Sequence, residues 1–246
     1  MPNRLPKGVK QLIRKVLNNL HLDLTRNLKY DRLSQAIMQL HLKPDSNCID
    51  IGCHEGEMLE MMLRYAPNGQ HYAFEPIPEM FQILKQKYGN LVRVYPYALS
   101  SESGMTTFHH VKNAPAYSGI IQRDYKTNSP DIDVIQVKME KLDNILPLNH
   151  RIDFIKLDVE GAELHVLKGA IDAIIRNKPL ILFEFGLGAS NHYGTQPEDI
   201  WDILSNQCAM RIFTLEGYLN NQLPLTLEKL KECYLNNTEY YFVSSK

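Results

Sequence analysis

The stretch NCIDIGCHEGEMLEMMLRYAPNGQHYAFEP, residues 47–76, decides the architecture of this chain. NCIDIG (47–52) is apolar on both sides of Asp50 and reads as a short buried strand. EGEMLEMMLRYA (55–66) has helical spacing and stops at Pro67-Asn68-Gly69. HYAFEP (71–76) reads as a second strand. The same alternation continues outward. PEMFQILKQKYG (78–89) reads as a helix, and LVRVYPYAL (91–99) as a strand in which Pro96 marks an edge or a bend. RIDFIKLDV (151–159), PLILFEFG (179–186), RIFTLEG (211–217) and EYYFVSS (239–245) read as strands. AELHVLKGAIDAIIRN (162–177) and PEDIWDILSNQ (197–207) read as helices, the latter with Pro197 near its start. Continuous apolar strands alternating with helices predict an α/β fold, a doubly wound and mostly parallel sheet with helices on both faces.

Two regions depart from this rhythm. Upstream, Val9, Leu12, Ile13, Val16, Leu17 and Leu20, then Leu28, Leu33, Ile37, Met38 and Leu40, recur at helical spacing and stop before Pro44. They predict an N-terminal helical extension over 1–43, ahead of the α/β domain over 44–246. Between 100 and 141, SESGMTTFHHV and VIQVKMEKL read as two strands around a polar loop, roughly 112–131. That loop is either a substrate-facing lid or a surface hairpin.

Composition narrows the class. Of the 246 residues 44% are apolar and 22% charged, which suits a globular chain with one well-buried core. No stretch approaches the roughly 18–20 consecutive apolar residues of a membrane span, and the N-terminus lacks a secretory pattern. Cys48, Cys53, Cys208 and Cys233 have no C-x-x-C spacing, so free thiols in a reducing cytoplasm are expected. Residues 1–43 hold nine Lys/Arg against two Asp/Glu. This basic arm is either the solvated face of a helix covering one edge of the domain or a contact to nucleic acid or an anionic membrane surface. Beyond Lys29-Tyr30 and Arg123-Asp124-Tyr125-Lys126, aromatic residues do not interleave with basic ones in the manner of a nucleic-acid surface.

The acids are more informative. In an open parallel sheet, ligands bind outside the C-terminal ends of the strands. Asp50, Glu75, Asp158 with Glu160, and Glu184 all fall at such ends. Each alone has a local explanation, for example a favourable place near a helix N-terminus. Together in one rim they repel, unless a cation or hydroxyl donors compensate them. Asp50-Ile51-Gly52-Cys53-His54-Glu55-Gly56 occupies the first turn of a nucleotide-binding fold, and an acid 23 residues after Gly52 suits a ribose diol. The dinucleotide fingerprint G-x-G-x-x-G fails, because His54 and Glu57 stand where its second and third glycines belong. That argues against a nicotinamide-dependent oxidoreductase and for a nucleoside with no phosphate and a positive centre. S-adenosylmethionine has both properties.

At CIDIGCHEG (48–56), AFEPIPEMF (73–81), YALSSESG (97–104), IDFIKLDVEGAELHVLKGA (152–170) and PLILFEF (179–185), the sequence resembles the FkbM-type S-adenosylmethionine-dependent methyltransferases over roughly 46–216. The resemblance implies a class I methyltransferase fold, Rossmann-like, whose seven-stranded sheet has one reversed strand. It implies methyl transfer to hydroxyl oxygens of sugars, glycans or natural products, a small-molecule or glycan acceptor, and S-adenosyl-L-methionine as cofactor. By position, Asp50, Gly52 and Gly56 would line the methionine end of the cofactor. Glu75, followed by Pro76, would hold the ribose, Ala98 and Leu99 would lie near adenine, and Asp158 and Glu160 would face the methyl group or the acceptor. His54 and the loosely matching AYSGI (116–120) depart from the family pattern on the acceptor side.

A hydroxyl that attacks the methyl group must lose its proton, so a base is expected within about 2.6–3.2 Å. Asp158 is the first candidate, with His54, His110 and His192 behind it. Strand alternation puts Lys156 on the face of Asp158, as a counter-charge to the acids. Hard oxygen ligands at Asp158, Glu160 and Glu184 would also suit Mg²⁺, but no metal site is assigned. A binding module without catalysis, or a homo-oligomer, is compatible with the same sequence.

Overall fold

The computed structural model describes residues 25–123 and 129–246. The helical run Val9–Leu20, most of the basic arm, and residues 124–128 of the polar loop lie outside the described residues. No helix among the described residues is long and apolar enough to cross a membrane.

The sheet is built from β1 (Cys48–Ile51), β2 (His71–Phe74), β3 (Val92–Tyr95), β7 (Phe154–Leu157), β8 (Leu180–Glu184), β9 (Arg211–Thr214) and β10 (Tyr241–Ser245), in the order β3-β2-β1-β7-β8-β10-β9. All neighbours are parallel except β10, which runs against both β8 and β9. The order reverses between β1 and β7, which is where such a sheet opens a crevice. β4 (Tyr97–Leu99), β5 (Gly104–Val111) and β6 (Ile132–Glu140) make a second sheet in the order β4-β6-β5. The predicted strand 91–99 thus divides at Pro96. Proline supplies no N–H to a ladder, and the chain leaves the large sheet there for the small one.

Side chains alternate across each strand, and this sorts the core into two layers. Ile49, Ile51, Ile155, Leu157, Ile181 and Phe183 pack on one face. Cys48, Phe154, Leu180, Leu182 and Val243 pack on the other, together with Tyr30, Leu33, Ile37 and Met38 of α1 (Arg26–His41). α1 starts at Thr25, whose hydroxyl accepts from the Leu28 N–H at 3.3 Å. α2 (Glu57–Tyr65) and α3 (Pro78–Tyr88) cross between the first strands.

The predicted helix 162–177 is two helices, α5 (Glu163–Lys168) and α6 (Ile171–Asn177); α4 (Leu142–Ile145) is a single turn before β7. The break falls at Gly169, which presses on the exit of β4: an added Cβ would stand 2.0 Å from the Ser100 carbonyl oxygen. After β8 the chain forms α7 (Pro197–Trp201), which widens into a π-helical turn over Asp202–Gln207. The predicted strand 211–217 ends at Thr214. Its hydroxyl accepts from the Gly217 N–H at 3.0 Å and starts α8 (Leu215–Leu219). A further helix, α9 (Leu227–Leu235), was not anticipated; Thr226 caps it in the same way, and Leu230 and Tyr234 are its buried residues.

Candidate active site

A large open cleft of 1950 Å³ runs along the C-terminal ends of β1, β2, β7 and β8. It exceeds the roughly 300–1,000 Å³ of a pocket for one small ligand, so it has room for two reactants. The first wall comes from the turn after β1. Gly52 has φ +77, and its hydrogen faces the Asp158 carbonyl oxygen, which an added Cβ would meet at 1.9 Å. Only glycine permits that approach of the β1 turn to the β7 turn. Gly56, at φ +80, serves packing: a Cβ there would meet Leu84 Cδ2 at 2.8 Å. Neither Gly56 nor Asp50 is among the cleft-lining residues; Gly52, Glu75, Pro76, Ala98 and Leu99 are.

Glu75 follows β2 and is buried. Its Oε2 accepts from the His54 N–H and its Oε1 from the Ile77 N–H, both at 2.9 Å. Each oxygen keeps acceptor capacity, so the carboxylate is held rigidly yet can still take a pair of hydroxyls. Burial pushes it up to about 7, against the two backbone N–H groups that favour its charge.

The stretch IKLDVEGAELHVLKG, 155–169, carries three acids after a buried strand, and each has its own partner. Asp158 lies 3.6 Å from the Lys156 ammonium and accepts from the Tyr241 hydroxyl at 3.1 Å. Glu160 meets Arg123 at 2.6 Å. Glu163 turns back, and its Oε1 accepts from the N–H groups of Val159 (3.0 Å) and Gly161 (3.1 Å), which fastens the turn itself. Burial pushes Glu163 up to about 7. We therefore expect Glu163→Gln, which keeps the acceptor oxygen, to be nearly neutral in chemical denaturation. Glu163→Ala strands two backbone donors and should cost about 2–4 kcal/mol.

Register brings the charges together. Asp50 pairs with Lys156 across β1 and β7, Lys156 with Leu182, and Glu184 with Tyr241 across β8 and β10. Asp50, Lys156, Glu184 and Tyr241 consequently share the sheet face that α1 covers. Lys156 is 5% exposed; its ammonium donates to the Gly52 carbonyl at 2.7 Å and stands 3.7 Å from Asp50. Burial opposes its charge, but Asp158 and Asp50 hold it above the ordinary lysine range. Neither carboxylate oxygen of Asp50 has a hydrogen-bond partner, and burial pushes that acid up despite Lys156.

One oxygen each of Asp158, Glu160 and Glu184 lies within 4.8 Å of the others. Such crowding separates their proton affinities. Burial acts against the charge of Asp158, but Lys156, Glu184 and Tyr241 hold it below the usual carboxylate range. Burial and the neighbouring Asp158 charge push Glu160 up to about 8, against Arg123. Burial, then Asp158 and Glu160, raise Glu184 far above its ordinary value. Asp158 is thus the member of the group that ionises most readily, and it carries its charge at neutral pH.

His54 and His192 line the cleft, His54 with φ +49 and His192 in a short 3-10 turn, Ser190–Tyr193. His110 is buried in β5 and is not among the lining residues. The sequence did not mark Arg123 or Tyr241 as residues of the cleft. Arg123 holds the polar loop down by donating to Glu160, to the Gly188 carbonyl at 3.2 Å and to the Tyr117 carbonyl at 3.3 Å. No spacing marks it in the sequence. For Tyr241 the period of EYYF was available, but not the register that points it at Asp158.

Comparison with known proteins agrees with this fold. Residues 50–212 match the model of the methyltransferase FkbM domain. The 2-O-methyltransferase NoeI of Sinorhizobium fredii is 25% identical over 169 residues, which are 63% of this chain and 68% of NoeI. The methyltransferase sdnD of Sordaria araneosa is 26% identical over 152 residues, 49% of this chain and 59% of sdnD. The crystal structure of an FkbM methyltransferase from Methylobacillus flagellatus superposes with a TM-score of 0.52 at 18% identity, covering 84% of this chain and 45% of that one. The family match spans most of the sheet and the turns that carry Gly52, Glu75 and Asp158, and so the chain belongs to the FkbM methyltransferase family, whose methyl donor is S-adenosylmethionine.

Proposed function

We propose that this chain is an O-methyltransferase acting on a hydroxyl of a sugar, glycan or natural-product acceptor. One observation carries the reading: a rigid buried carboxylate with free acceptor capacity, Glu75, shares a cleft with the ionised Asp158. The printed activity of NoeI, a 2-O-methyltransferase, supports a hydroxyl acceptor. S-adenosylmethionine supplies a methyl carbon already activated by its sulfonium. Glu75 accepts the two ribose hydroxyls, while Pro76, Ala98 and Leu99 give an apolar flank for the base. Gly52 keeps the β1 turn close to the β7 turn. Asp158 accepts the hydrogen bond of the attacking hydroxyl and takes its proton, and alignment of the two reactants provides much of the remaining acceleration. Lys156 stands beside Asp158 and Arg123 beside Glu160, so the group already has its counter-charges and this reading assigns no Mg²⁺ to Asp158, Glu160 and Glu184.

The test is calorimetric titration of ligand-stripped protein with S-adenosylmethionine, with NAD as the control, followed by an acceptor screen with labelled methyl donor. Glu75→Ala is expected to weaken S-adenosylmethionine at least tenfold; binding indifferent to Glu75, or tighter binding of NAD, would sink the assignment. The pH dependence has a definite sign. Glu75 in the free protein gains its proton as pH falls through about 7, and the protonated form cannot accept two hydroxyl hydrogens as well. Affinity should therefore drop about tenfold between pH 8 and pH 6, with proton release on binding near pH 7. The limb appears in kcat/KM for the donor and not in kcat, because the bound state holds the carboxylate ionised.

A further inference from the structure

Arg26, Asn27, Tyr30, Asp31, Ser34 and Gln35 of α1 all line the cleft, with the spacing of one helical face. The helix is fastened to the entry of β10. The Tyr30 hydroxyl donates to Glu239 and accepts from the Tyr240 N–H at 3.3 Å. The Tyr240 hydroxyl donates to Asn27, and Arg26 donates to the Asn237 carbonyl at 2.7 Å. The Tyr30 ring stands edge-on to Tyr240 at 4.7 Å and tilted over Tyr241 at 5.7 Å. Every one of these fastenings is on the strand end that carries Tyr241, whose hydroxyl reaches Asp158.

We propose that Tyr241 is a positioning residue for Asp158, and that α1 serves the reaction by clamping Tyr241 through Tyr30. This rests on the reading of Asp158 as the group that receives the acceptor hydroxyl. Asp158 lies one residue beyond β7, where its N–H still donates to the Ile51 carbonyl at 3.2 Å but its side chain has left the sheet. Three groups orient that side chain. Lys156 is long and divided among Asp158, Asp50 and the Gly52 carbonyl. Glu184 is itself an acid. Tyr241 is the rigid neutral donor, its ring held between strand and helix. Burial and the Asp158 charge raise its hydroxyl far above the usual phenol range, so it stays a donor at every working pH. Lys156 and Tyr241 both engage Oδ2, so Oδ1 is the oxygen left for the acceptor.

Tyr241→Phe keeps the ring and deletes the hydroxyl. The first readout needs no acceptor: the carboxyl titration of Asp158 by ¹³C NMR, assigned through its loss in Asp158→Asn. The groups facing Asp158 from the surrounding elements are Asp50, Lys156, Glu160, Glu163 and Glu184, and none of them changes in Tyr241→Phe. Loss of one donor to the charged form should move the Asp158 midpoint up by about one pH unit. The second readout is transfer: kcat falls at least tenfold while the donor Kd and the melting temperature stay close to wild type. Tyr30→Leu, which loosens the clamp without touching the hydroxyl, should give a smaller change of the same sign in both. An Asp158 midpoint unmoved in Tyr241→Phe overturns the inference, as does full transfer by Tyr241→Phe when Asp158→Asn is inactive. If Asp158→Asn is itself fully active, the role of Asp158 has failed, and the titration still decides whether Tyr241 holds it.

Discussion

Lys156→Met is expected to lower the unfolding free energy by about 3–5 kcal/mol at pH 7, the usual cost of removing one partner from a buried ion pair. The reason is Asp50. That carboxyl is fully buried, has no hydrogen-bond partner on either oxygen, and depends on the Lys156 ammonium 3.7 Å away. Methionine fills a similar volume but leaves the charge alone, and it also drops the bond to the Gly52 carbonyl that ties the β1 turn to β7. The pH dependence follows from linkage. Asp50 already has a raised proton affinity in the folded state, and without Lys156 it rises further. The folded variant then binds a proton that the unfolded chain releases above about pH 4, so the deficit shrinks as pH falls from 8 toward 5. Urea unfolding at those two pH values measures it. The double variant Asp50→Asn/Lys156→Met should recover much of the loss, because the two residues act as a pair. A double variant no more stable than Lys156→Met would show that Asp50 is not the group Lys156 serves.

Asp158→Asn should reduce methyl transfer by about 10²–10⁴-fold, the range expected when a general base is lost. Asparagine keeps the shape and can still accept from Tyr241, so the site is preserved while its ionised carboxylate is gone. Donor affinity should change far less than rate, because Glu75 sits at the end of a different strand. A variant with matched losses in donor binding and rate would place Asp158 on the cofactor instead. The wild-type rate should also stay flat in kcat down to low pH. Asp158 is held below the ordinary carboxylate range by Lys156, Glu184 and Tyr241, so it keeps its charge long after Glu75 in the free protein has lost its own.

Apolar patterning in the sequence was enough to place the strands around Ile49, Phe74, Ile155 and Phe183 and to put the acids at their ends, because a short continuous apolar run bounded by turn residues is a local pattern. Pro96 marked a real break, but the one at Gly169 was not legible, because it is set by the Ser100 carbonyl, which comes from 69 residues earlier in the chain. The helix Leu227–Leu235 escaped notice because its buried positions are few, Leu230 and Tyr234. Thr226 ahead of it was the available signal.

By itself, then, the sequence determined the doubly wound class, the rim of acids and, through its resemblance to a known family, the methyl-transfer chemistry. What compensates those acids was a tertiary decision. Lys156 could be placed on the face of Asp158 by alternation within one strand, but its pairing with Asp50 needed the register of β1 against β7. Tyr241 reaches Asp158 only because β10 runs antiparallel beside β8 and sets Tyr241 opposite Glu184. Arg123 reaches Glu160 only because the loop after β5 folds back over the cleft. Alternation along a strand is a short-range consequence of backbone geometry. Register and loop closure are fixed by contacts between residues far apart in the chain, and it is these contacts that make Asp158 the most readily ionised carboxylate of the three.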